Sequence, residues 1–118
     1  MNNYNTIFYE TIDGVEPAKD FLLELDYKMR AKMIRMLQML QKNGPDIREP
    51  YSKELEDGIF ELRAKVGTNI SRLLYFFDNG KIVILTNGFI KKTQKTPRKE
   101  IVIAKKYRSD YFERKCSQ

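Results

Sequence analysis

The sequence predicts an α+β fold. A mostly antiparallel sheet, formed by an N-terminal strand and a three-stranded meander, packs against an N-terminal helical hairpin and is followed by a C-terminal helix. Three observations predict it. Residues Ile59 to Val66 alternate apolar and polar side chains with a period of two. Asn79-Gly80 separates two apolar runs, the pattern of a tight hairpin. Met29, Met33, Met36, Leu37 and Leu40 fall on one stripe of a helix. Helices segregated from antiparallel strands give a layered sandwich. With 118 residues, 42% of them hydrophobic, the chain reads as one domain over 1–118.

Taken in order, Tyr4 to Tyr9 (YNTIFY) is rich in β-formers and predicts the first strand. Asp13-Gly14 is a turn. Pro17 suits the first turn of a helix, and Asp20 sits near its positive end. Ala18, Phe21, Leu22 and Leu25 form one face, so the first helix ends near Leu25. Asp26 is an N-cap for the second helix, and Asn43-Gly44-Pro45 stops it. Residues 46–58 are polar and predict a connection that carries Lys53. The strands of the meander are then 59–66, 70–78 and 81–87. In the first of them Phe60, Leu62, Ala64 and Val66 point one way and Glu61, Arg63 and Lys65 the other. Thr96 is a cap for the last helix, with Pro97 at its first position and Glu100 in its first turn.

Charge is distributed unevenly. Residues 1–90 carry 12 Lys/Arg and 13 Asp/Glu, a balance of −1; residues 91–118 carry 10 and 3, a balance of +7. That asymmetry predicts a polyanionic partner, nucleic acid before an anionic membrane. The chain has no histidine, which excludes two-histidine nucleases, His-ligated zinc and Ser/His/Asp triads. A single cysteine, Cys116, cannot form an internal disulfide, which fits a reducing cytoplasm. No signal peptide or membrane span is expected.

The residues that could carry chemistry are cations. Arg72 lies in the middle of an apolar strand, on the face shared by Ile70, Leu74 and Phe76. A buried guanidinium needs a partner. Arg72 therefore either pairs with Glu61 on the neighbouring strand or faces an anion-binding cleft beside Arg63. Lys91, Lys92 and Lys95 follow the last strand of the meander and could converge on the same end of the sheet, with Lys53 approaching from the connection. Arginine binds phosphate bidentately and lysine as a point charge. Phe89 is either a base-stacking residue or core. Glu54, Glu56, Asp57 and Glu61 lack the spacing of a metal loop, so no metal is expected.

The segment KELEDGIFELRAKVGTNISRLLYFFDNGKIVILTNGFIKKTQKTPRKEIVIA, residues 53–104, resembles phage-derived RelE/HigB-type toxins of type II toxin–antitoxin systems. Its diagnostic pieces are Gly58 to Arg63, Arg72 to Phe77 and Gly88 to Pro97. The resemblance implies a RelE-like fold and a ribosome-dependent endoribonuclease that cuts translated mRNA without a metal or other cofactor. The implied chemistry is attack of a ribose 2′-hydroxyl on the adjacent phosphate. Arg63, Arg72, Lys91 and Lys92 match the family's catalytic cations. Lys53, Phe89, Lys95, Arg98 and Lys99 are expected to bind RNA. The implied partners are the ribosome, mRNA and a helix-turn-helix, HigA-like antitoxin. With no histidine, and no tyrosine in 86–97, the general acid and base stay open; a lysine with a lowered pKa among crowded cations is one physical route. Two other functions fit the same fold: a ParE-like toxin that inhibits DNA gyrase, and a degenerate module that only binds RNA or DNA.

Overall fold

The computed structural model describes residues 4–90 and 95–117. Its elements are β1 (Asn5–Phe8), α1 (Pro17–Glu24), α2 (Tyr27–Asn43), a short 3-10 turn (Gly44–Asp46), β2 (Ser52–Glu56), β3 (Ile59–Val66), β4 (Asn69–Asp78), β5 (Ile82–Ile90) and α3 (Arg98–Cys116). The strands form one sheet in the order β1-β5-β4-β3-β2. β1 runs parallel to β5, and the other pairs are antiparallel. This is the α+β arrangement expected from the sequence, with one added strand. Residues 52–56 form β2 rather than a connection, because Ser52, Lys53 and Glu54 pair with Leu62, Glu61 and Phe60 of β3. That run is polar because it lies at the edge of the sheet, so hydrophobic periodicity could not reveal it.

Both faces of the sheet are covered. On one, the α2 stripe of Met29, Met33, Met36, Leu37 and Leu40 packs with Leu22 of α1 against Leu62, Ala64, Leu73, Tyr75, Val83 and Leu85. Each such burial contributes about 1.5–3 kcal/mol. On the other, Ala104 of α3, flanked by Tyr107 and Tyr111, covers Ile59, Leu74, Phe76 and Ile84. The α2 cap is as expected: the Asp26 side chain accepts from the Met29 N–H at 2.9 Å. At the β4–β5 hairpin Asp78 pairs with Ile82 across the three-residue connection Asn79-Gly80-Lys81, in which Asn79 and Gly80 both have positive φ.

A bulge at Thr86 decides which way the end of β5 faces. Leu74 pairs with Asn87 while Tyr75 pairs with Leu85, so Thr86 is the extra residue. Its buried hydroxyl donates to the Leu74 carbonyl at 3.1 Å. Simple alternation from Val83 and Leu85 would turn Asn87 and Phe89 toward α1 and α2. The extra residue moves them to the α3 side, where Phe89 stands opposite Arg72. It also places Gly88 under α1, where a Cβ would overlap the Phe21 ring.

Candidate phosphate-binding site

The site is built from the pairing of β3 with β4. Arg63 and Arg72 are directly opposite each other in the register, and Arg72 is in turn opposite Phe89 of β5. The next row up the sheet holds Glu61, with Lys53 opposite it on β2. Glu61 lies two residues from Arg63 and therefore shares its face. One carboxylate thus meets both guanidinium groups. Arg63 donates through Nε to Glu61 Oε2 at 2.6 Å, and Arg72 donates through Nη1 to Glu61 Oε1 at 3.5 Å. The sequence left a Glu61 pair and an anion cleft as alternatives for Arg72. The geometry shows the pair, with a cleft beside it.

Glu61 is fully buried and Arg72 is 1% exposed. Thr96, immediately before Pro97, closes the cluster. Its hydroxyl donates to Glu61 Oε1 and accepts from Arg72 Nη1 at 3.2 Å. It does not cap α3: Pro97 occupies the N-cap position, and no side chain caps that end. The expected cap is therefore replaced by a tie between the approach to α3 and the charged pair. Buried charge is tolerated only when paired and hydrogen-bonded, and Glu61 and Thr96 supply such partners to Arg72 Nη1. Phe89 is partly buried, packs with the α3-side core and lies 5.9 Å from the Arg72 guanidinium carbon. Its ring thus packs partly against the core and lies beneath the Arg72 guanidinium.

Arg63 is placed differently. Its side chain is 20% exposed, and among the described residues only Glu61 bonds it, through Nε. Among the described residues neither Nη group donates to a protein oxygen, and a guanidinium edge of this kind can bind a phosphate bidentately. It lines a cavity of about 460 Å³ with Arg72, Lys65, Ile70, Lys32, Met36, Glu49, Pro50 and Tyr51. The sequence reading missed Glu49, Tyr51, Lys32 and Lys65. Glu49 and Tyr51 precede β2, in the segment read as connection, and Lys32 comes from α2. No local pattern brings these three to Arg63, whereas the alternation of β3 already puts Lys65 on the face of Arg63. Tyr51 is 45% exposed, and its carbonyl accepts from the Arg63 N–H at 2.9 Å.

Other expected site residues fall as follows. Lys53 is exposed on β2, beside Glu61 in the ladder. Lys95 is exposed and adjacent to Thr96, and Lys99 is exposed on the first turn of α3. Arg98 is exposed at the start of α3, and its guanidinium pairs with Glu56. Lys91 and Lys92 lie outside the described residues. Among the described residues no group of three or more His, Cys, Asp or Glu side chains is arranged to hold a metal, and no helix is long and apolar enough to cross a membrane.

Fold and site together define a small RelE-like α+β protein with an arginine pair at the end of its sheet. The model of the family described as "Phage derived protein Gp49-like (DUF891)" matches residues 20–109, well over half of the chain. The chain belongs to that Gp49-like family, which is RelE/toxin-like. No curated protein matches it.

Proposed function

We propose that this chain is the toxin of a type II toxin–antitoxin system and acts as a ribosome-dependent, metal-independent endoribonuclease on translated mRNA. The observation that carries the reading is the Arg63–Glu61–Arg72 cluster opening onto a cavity lined by further cations. In the reaction a ribose 2′-oxygen bonds to the adjacent phosphorus as the bond to the 5′-oxygen breaks. The products are a 2′,3′-cyclic phosphate and a 5′-hydroxyl. One proton leaves the 2′-hydroxyl for a base, and one reaches the departing 5′-oxygen from an acid. Arg63 is suited to hold the phosphate bidentately, and the fixed cations to stabilise the charge that grows on the phosphorane. Lys91 and Lys92 are the further catalytic cations and the first choice for proton transfer. Glu49, Tyr51, Lys32 and Lys65 line the same cavity and are other groups there able to carry a proton.

RNA docking in this reading uses Lys53, Lys95 and Lys99. A toxin-like family implies an antitoxin partner, and a helix-turn-helix, HigA-like protein is the one proposed. The test is induced expression in bacteria followed by mapping of mRNA 5′ ends. Ribosome-phased cuts that vanish with Arg63→Ala and Arg72→Ala support the reading. Intact transcripts with altered DNA supercoiling overturn it in favour of gyrase inhibition. Intact transcripts with ribosome binding retained overturn it in favour of a binding module.

A further inference from the structure

The charge count puts the excess of cations in residues 91–118, but the fold neutralises much of it there. Lys105 pairs with Glu56 and Asp57, and Arg98 also pairs with Glu56. Lys115 pairs with Asp78, and Arg114 with Asp110. Arg108 donates to the Asp57 carbonyl. The contacts to Glu56, Asp57 and Asp78 fasten α3 to the sheet and occupy Arg98, Lys105, Arg108 and Lys115.

A further group of uncompensated cations lies on α2. α2 reads YKMRAKMIRMLQMLQKN and contains no Asp or Glu, so no pairing at i,i+4 is available within it. Its buried methionine and leucine stripe turns Lys28, Lys32 and Arg35 to the outer side, spanning about 10 Å along the helix. Lys28 and Lys32 are a like-charge i,i+4 pair, which destabilises a helix slightly. Together with Lys65 from the end of β3, these three line a groove of about 410 Å³ completed by Tyr27, Ala31 and Val66. No carboxylate lines it, and among the described residues none of the four cations takes part in an ion pair. Lys32 and Lys65 also line the cavity that holds Arg63 and Arg72, so the groove runs into the arginine site. Tyr27 is 78% exposed at the groove. An exposed aromatic ring among cations suits an unpaired base, whereas a base inside a duplex has no free face to offer it.

We infer that the groove of Lys28, Lys32, Arg35, Lys65 and Tyr27 binds a single-stranded segment of RNA flanking the phosphate held at Arg63. The inference rests on the ribonuclease reading for its orientation. The lysines and Arg35 contact successive phosphates of the strand, and Tyr27 stacks on one base.

The experiment uses the full chain and a labelled 2′-O-methyl oligoribonucleotide of about 10 nucleotides, which has no 2′-hydroxyl to attack. Affinity is read by fluorescence anisotropy over a range of salt. Lys28→Ala with Arg35→Ala should lower affinity about tenfold or more, and reduce the slope of log K against log salt by about 1.4, for two lost phosphate contacts. Tyr27→Ala should lower affinity at least about fivefold with the salt slope unchanged. A control with the same loss of charge elsewhere, Lys19→Ala with Lys106→Ala, should change neither. Circular dichroism checks that each variant is folded. Unchanged affinity and slope in the groove variants overturn the inference, and so does an equal loss in the control, which would signal diffuse charge attraction. Loss of antitoxin binding with RNA affinity intact also overturns it, in favour of an acidic protein segment. The ribonuclease reading fails separately, if Arg63→Ala and Arg72→Ala leave transcript cleavage unchanged.

Discussion

Arg63 and Arg72 stand opposite each other on β3 and β4 and share one buried carboxylate, Glu61, with one oxygen accepting from each. Glu61 therefore fixes the separation and orientation of the two guanidinium groups. Arg63 is partly exposed at the cavity, while Arg72 beside it is buried. An arginine pair without such a bridge would repel itself and lose its geometry.

Removing that bridge should cost stability. Glu61→Gln leaves Arg72 buried without its counter-charge and is expected to lower unfolding free energy by about 3–5 kcal/mol. Replacing both partners, Glu61→Leu with Arg72→Met, should recover much of the loss, because an apolar pair of similar volume needs no neutralisation. Urea denaturation of the three proteins measures it. Equal destabilisation by the single and double changes would show that the pair contributes little.

Arg63 is expected to matter for geometry and not only for charge. Arg63→Lys keeps the cation but loses the fork that holds Glu61 through Nε while leaving two Nη groups for phosphate. Cleavage of ribosome-bound mRNA should fall about 10²–10³-fold, as when one oriented donor is lost from a transition-state site. Thermal stability should change little by comparison, since the side chain is partly exposed. Full activity in Arg63→Lys would reduce its role to electrostatics.

Attachment of α3 should depend on pH at both ends of the scale. Hydrogen bonds from Lys105, then Arg98, hold Glu56 below its ordinary 4.5. Burial alone would raise Asp78, but hydrogen bonds from Lys115 and Tyr111 outweigh it and leave it below 3.8. Asp110 is lowered by Tyr9 and Arg114. A carboxyl with a depressed folded pKa contributes stability above its ordinary value, and that stability is lost as pH falls through the folded value. Tyr9 and Tyr111 are raised from 10.0 to about 12, by burial first and then by Asp110 and Asp78 respectively. Their contribution is present below pH 10 and lost as pH rises through about 12. Melting temperature should therefore be flat near neutrality and fall below about pH 4 and above about pH 10. Asp78→Asn, with Tyr111→Phe beside it, should flatten both limbs relative to the parent. An unchanged acid limb in Asp78→Asn would remove that carboxylate from the explanation.

Gly88 offers a test of the bulge. A Cβ there overlaps the Phe21 ring and approaches the Arg72 carbonyl at 2.9 Å. Gly88→Ala is expected to destabilise by about 1–3 kcal/mol through overpacking. Phe21→Ala in the same chain should relieve part of that cost, since it removes the ring in the way. Additive losses would place the strain elsewhere.

Sequence alone carried the sheet meander, the helical hairpin, the Asp26 cap and the face on which Arg72 lies. Each depends on a local period or a local turn, and short-range geometry is written in neighbouring residues. It also carried the choice of Arg63 and Arg72 as a pair, because one short turn fixes their strands side by side. Tertiary structure alone decided the rest. β2 is a polar edge strand whose only signature is its partner. The Thr86 bulge reverses the alternation at the end of β5 and brings Phe89 beneath Arg72. Thr96 reads as a helix cap but bonds Glu61 and Arg72 instead. Above all, a charge count along the chain cannot tell which cations meet acids from distant elements. The basic segment at 98–115 is largely paired with Glu56, Asp57, Asp78 and Asp110, while α2, inconspicuous in the count, keeps its cations unpaired beside the arginine cleft. Charge density in the sequence and positive potential at the surface differ here because folding brings together acids and bases that the chain holds far apart.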